Sequence, residues 1–95
     1  MIYMSSDLDK RQRKTLLKER YKKMIRYLNL GGNSNVYAYQ YGEDYIDVQF
    51  FGGKVYRYSY RSAGHEKVEE MKKCATAGRG LNSYIMKYAK YDYER

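Results

Sequence analysis

Ninety-five residues with a net charge of +8, one cysteine and no proline or tryptophan describe a single small domain with room for one modest core. The lone Cys74 excludes an intramolecular disulfide framework and fits a reducing compartment. Charge arrives within seven residues of Met1, against a signal peptide, and no apolar run nears the roughly 18 residues of a membrane span. The expectation is a cytoplasmic protein with no membrane partner.

Residues 1–30 carry nine bases against three acids, a balance of +6, whereas residues 31–95 carry ten against eight, a balance of +2. A basic segment on a nearly neutral body points to an anionic partner, although bases also solubilise the outer face of a helix. The segment is predicted to be helical from about Ser6 to Leu30. Leu17, Tyr21, Met24, Ile25 and Leu28 follow the spacing of an apolar stripe, and Lys14, Lys18 and Lys22 are among the bases around it. Such a helix can pack on the body, pair with a second copy in a homodimer, or lie along an anionic surface.

GGNSN, residues 31–35, supplies the glycines that end a helix. Three strand-like runs follow, VYAYQY (36–41), YIDVQFF (45–51) and VYRYSY (55–60), separated by GED and GGK, so an antiparallel meander is expected. Residues 65–77 read as a second helix, with Val68, Met71, Cys74 and Ala75 on one side and Gly78 as its stop. A third helix is expected from about Asn82 to Tyr91. The fold class is α+β: a basic N-terminal helix over 1–30, then a three-stranded antiparallel meander and two C-terminal helices over 31–95, as one folding unit.

The chain holds 14 tyrosines, and strand register decides what they do. A two-residue turn at Gly52-Gly53 pairs Gln49 with Tyr56 and Asp47 with Tyr58, and this register is favoured. It puts Val36, Ala38, Ile46, Val48 and Phe50 on a core face and makes the other face a wall of tyrosines. A three-residue turn with a bulge instead moves Tyr56, Tyr58 and Tyr60 onto the face of Ile46, Val48 and Phe50.

Catalytic patterns are sparse. One histidine, His65, and one cysteine nine residues on make no zinc cluster and no nucleophile–base pair, so no enzyme, metal or cofactor is expected. His65 is read as a residue of the helix cap region. Binding chemistry has more support. AGRGLNSYI, residues 77–85, sets Arg79 between two glycines before a helix start with Asn82 and Ser83. An ordinary helix junction is the favoured reading, and it is compatible with a phosphate held by Arg79 and free N–H groups. Arg57 and Arg61 alternate with tyrosines, the combination by which sequence-tolerant readers hold nucleotides.

The string I-D-V-Q-F-F-G-G-K-V-Y-R-Y, residues 46–58, followed by A75-x-x-G78-x-G80-L-N82-x-x-I85, resembles the KTSC domain. This short module is named for its place at the C-terminus of some lysyl-tRNA synthetases and also occurs as small bacterial and phage proteins. The resemblance covers roughly residues 34–91 and leaves the basic segment outside. It departs from the family's pattern at Arg61 to Gly64, where a more apolar, proline-containing link is usual. It implies a KTSC-like βββαα body, a central Y-x-Y motif on Tyr56 and Tyr58, and RNA binding.

The functional expectation is therefore a non-enzymatic binding protein for an anionic nucleotidic ligand, RNA above all. Tyr39, Tyr56 and Tyr58 are expected to stack, Arg57, Arg61, Arg79 and Asn82 to hold bases or phosphates, and Lys14, Lys18 and Lys22 to contact phosphates. The alternative is a phage-type inhibitor, in host cytoplasm, that docks on a host protein or sequesters a small signalling nucleotide.

Overall fold

The computed structural model describes residues 24–95. In chain order these form β1 (Ile25–Arg26), β2 (Val36–Tyr41), β3 (Tyr45–Phe50), β4 (Val55–Ser59), α1 (His65–Ala77) and α2 (Leu81–Tyr84), the last running on as a π-helical turn, Ile85–Ala89. The strands make one antiparallel sheet in the order β1-β2-β3-β4. The helices lie on one face of it, giving a two-layer α+β domain. Among the described residues, no helix is long and apolar enough to cross a membrane.

Two expectations need correction. The predicted helix does not reach Leu30, because Ile25 and Arg26 are extended and pair with Tyr39 and Ala38 as a fourth strand. Tyr27 continues that line, its N–H donating to the Tyr37 carbonyl at 3.0 Å while its ring is buried. Apolar residues at 25, 27 and 28 suit a helix stripe and a short strand about equally, and the unpaired edge of β2 selects the strand. The remainder of the predicted helix lies outside the described residues.

The second correction is register. β3 and β4 pair Ile46 with Tyr58, Val48 with Tyr56 and Gln49 with Val55, so the hairpin closes over three residues rather than two. Phe50 N–H donates to the Lys54 carbonyl at 2.9 Å, and both Gly52 and Gly53 take positive φ in the loop. Phe51 directs its N–H to the Asn35 carbonyl at 2.9 Å, which extends the pairing with the chain before β2. In β2 a bulge falls between Val36 and Ala38, so Val36 opposes Phe50 and Tyr39 opposes Val48.

The β3–β4 slip and the β2 bulge send Tyr58 and Tyr39 inward. Tyr39, Tyr58, Ile46, Val48 and Val36 form the sheet side of the core, and Val68, Met71 and Ala75 of α1 with Leu81, Ile85 and Ala89 form the helix side. The predicted separation into an aliphatic face and a tyrosine wall does not occur. Burial of Tyr39 and Tyr58 takes two large aromatic rings out of water. The outer face holds Ala38, Gln40, Asp47 and Arg57. Asp47, only 5% exposed, accepts two hydrogen bonds from the Arg57 guanidinium at 2.7 and 2.9 Å and one from the Gln40 amide at 3.0 Å.

α1 begins with His65, whose ring packs on Tyr60, and no side chain caps its N-terminus. It ends at Gly78 in left-handed conformation, as the sequence predicts. The second C-terminal helix starts at Leu81 and ends at Ala89, slightly short of the expected Tyr91. Beyond it, residues 92–95 fold back along β4. Lys67 pairs with Asp92 at 2.7 Å, and Glu94 N–H donates to the Arg57 carbonyl at 2.7 Å.

Two tyrosines in this arrangement make alkaline pH destabilising. Burial pushes the Tyr58 hydroxyl up to about 12, and a hydrogen bond to Glu69 at 2.6 Å pushes Tyr60 up to about 12, from an ordinary 10.0. A folded-state pKa above the unfolded one stabilises fully below pH 10, and that contribution is lost as pH rises toward 12. Tyrosinate absorbance is expected to rise late for these two residues, and the denaturant midpoint to fall over the same interval. Tyr60→Phe should make that fall shallower. A midpoint independent of pH there would contradict the linkage.

Candidate nucleotide-binding clefts

The sequence-predicted residues separate into three groups. Tyr39 and Tyr58, at 7% and 2% exposure, belong to the core and offer no ring face to a ligand, which corrects their expected stacking role. Arg57 is on the outer face, where it is committed to Asp47 and lies 3.9 Å over the Tyr45 ring. Its hydrogen bond to Asp47 raises its pKa further above an already high value. Arg61 lines a groove at the end of β4 with Tyr91, Tyr93 and Arg95. Lys14, Lys18 and Lys22 lie outside the described residues.

Tyr56, Arg79 and Asn82 are brought to one side of the molecule. Arg79 and Asn82 line a polar cleft of about 220 Å³ with Asn29, Asn33, Ser34 and Ser83. Asn82 and Tyr56 line an adjoining, more apolar cleft of about 530 Å³ with Phe50, Phe51, Lys54 and Met86. Asn82 is common to both.

The polar cleft is built by seating the loop after β1 against the α1–α2 junction. Leu30 N–H donates to the Gly78 carbonyl at 2.7 Å, and the Tyr27 hydroxyl accepts from Leu81 N–H at 3.2 Å. The loop braces itself: Asn29, at φ 54°, accepts from Ser34 N–H through its side chain at 3.0 Å, and the Ser34 hydroxyl accepts from Val36 N–H at 3.0 Å. Asn tolerates left-handed backbone better than most residues, which is why it stands at this turn. Gly80, also at positive φ, carries the chain from Arg79 into α2.

Among the described residues, the charge in the polar cleft is not neutralised by an ion pair. The ion pairs among the described residues are Arg57–Asp47, Lys67–Asp92, Lys72–Glu69 and Lys73–Glu70, and Arg79 takes part in none of them. An exposed guanidinium beside five Asn or Ser side chains, with no carboxylate among the described residues that line the cleft, is suited to an oxyanion. Lys54, in the apolar cleft, is likewise without an ion pair among the described residues.

The apolar cleft presents rings that are already held in place. Tyr56 packs between Tyr93, with centroids 4.7 Å apart, and Phe50, at 5.8 Å. Phe51 meets the Tyr37 ring edge-on at 5.3 Å. Sequence reasoning overlooked Asn29, Asn33 and Ser34, because GGNSN reads as a helix stop; its density of amide and hydroxyl side chains was the available signal. Phe51 and Met86 were overlooked because their partnership across the clefts depends on the hairpin register. No protein-family model, curated protein or solved structure matches the chain.

Proposed function

We propose that the protein is a non-enzymatic binding module for a nucleotidic anion, RNA above all, and that the Arg79 cleft is where it holds phosphate. The observation that carries this reading is the Arg79 guanidinium, without an ion pair among the described residues, in a cleft lined by Asn29, Asn33, Ser34, Asn82 and Ser83 and by no acid among those residues. Arg is suited to phosphate because its fork of donors matches two oxygens at once. The nine bases of residues 1–30, Lys14, Lys18 and Lys22 among them, add sequence-independent attraction, and the resemblance to KTSC domains points the same way. Arg57 is left out of the ligand site in this reading, since taking it would strand Asp47.

Fluorescence anisotropy of a short labelled RNA across a salt series tests it. Affinity should fall steeply with salt, and Arg79→Ala should weaken binding roughly tenfold and reduce the salt slope by about one. Binding that is flat with salt, or a stoichiometric protein partner that survives nuclease treatment, would overturn the reading.

A further inference from the structure

We infer that the apolar cleft is a base subsite: it takes the unstacked base of a single-stranded RNA nucleotide whose phosphate lies in the Arg79 cleft. The inference rests on the phosphate reading above and adds to it the form of nucleic acid recognised. Asn82 lines both clefts, so the two adjoin at one side chain. Phosphate and base of one nucleotide require that adjacency of a cationic polar site and an aromatic one.

The walls are those a base needs. Phe51 and Met86 stand 54% and 46% exposed beside the cleft, and covering large apolar side chains of this kind is favourable. Tyr56 is fixed between Phe50 and Tyr93, and Phe51 is fixed by Tyr37, so stacking on them costs little further ordering. Lys54 at the rim supplies a second cation for the neighbouring phosphate, and the Asn82 side chain can both donate to and accept from a base edge. A paired, stacked base cannot enter such a cleft, so a duplex is left with phosphate contacts alone.

The test compares three probes on the full chain: a short single-stranded RNA, the same strand in a duplex, and an abasic ribose-phosphate chain of equal length. The single strand should bind roughly tenfold or more tightly than either of the others, the expected yield of stacking one base. A Phe51→Ser, Met86→Ser double variant should bring that preference close to unity. Both side chains are half-exposed, and circular dichroism checks that the fold is kept. On the unaltered protein, a 2-aminopurine base in the strand should be quenched on binding. Equal affinity for all three probes would overturn the base subsite and leave the phosphate reading standing. Binding to none of them would overturn both.

Discussion

Tyr58→Ala is expected to lower folding stability by about 3–5 kcal/mol, the usual cost of removing a large aromatic side chain from a core. Tyr58 is 2% exposed, opposes Ile46 in the sheet and packs its ring at 6.3 Å, edge-on, to Tyr93. The cavity would lie between the sheet and the helix layer, where Val68, Met71 and Ile85 are fully buried and have little freedom to collapse inward. Domains of this size have about 5–15 kcal/mol in all, so the variant should sit near the edge of folding. Tyr58→Phe keeps the ring and should cost under about 1 kcal/mol, since volume-conserving changes are the best tolerated. Urea denaturation of the pair measures both. A Tyr58→Ala variant of unchanged stability but weakened RNA binding would restore the stacking role that the register denies it.

Gly78→Ala should cost about 2–4 kcal/mol, for two separate reasons. Gly78 sits at φ 78°, where a Cβ is strained against the following carbonyl. In addition, a Cβ there would come within 2.6 Å of Leu28 Cβ and 3.1 Å of Leu28 Cδ1. The first atom is not the far end of a flexible side chain, so relief requires the backbone to move. That movement pulls on the bond from Leu30 N–H to the Gly78 carbonyl, which seats the polar loop beside Arg79. Gly78→Ala should therefore weaken RNA binding as well as stability. Combining it with Leu28→Gly, which removes the clashing atom, should give a loss smaller than the sum of the two single losses. Strict additivity would show that Leu28 does not oppose the Cβ.

How much of this was legible in the sequence differed by element. The helix 65–77 was readable to the residue, because an apolar set at 68, 71 and 75 ends on a glycine and little competes with that pattern. Hairpin positions were also readable, since Gly-rich breaks between β-branched and aromatic runs have few other meanings. Register was not. In VYAYQY and VYRYSY tyrosines, themselves amphipathic, alternate with a mixture of Val, Ala, Gln, Arg and Ser, so neither set is uniformly apolar or polar and period-2 patterning loses its power to discriminate. The bulge between Val36 and Ala38 and the bond from Phe51 to Asn35 decide it, and both depend on partners distant in the chain. Of the candidate site, Arg79 and Asn82 were legible from their glycine-flanked junction. Tyr39 and Tyr58 were misassigned to the ligand for the same reason that register was misjudged. The pairing of Arg57 with Asp47 was not legible, because Asp47 stands ten residues away, across a strand pair whose alignment sets the contact.

The single backbone bond from Glu94 to Arg57 has a consequence for solubility. Strand β4 lies at the margin of the sheet, and its VYRYS run has high β propensity and no proline. A bare strand of that kind is a template on which further copies can add, and residues 92–95 occupy the place where the first would dock. At the opposite margin β1 is only two residues long, too short to seed such growth. The cover of β4 thus depends on a few residues held by one backbone bond, the Lys67–Asp92 pair and the packing of Tyr93 on Tyr56 and Tyr58. A fusion joined after Arg95 that drags this strap away should make self-association through β4 stronger.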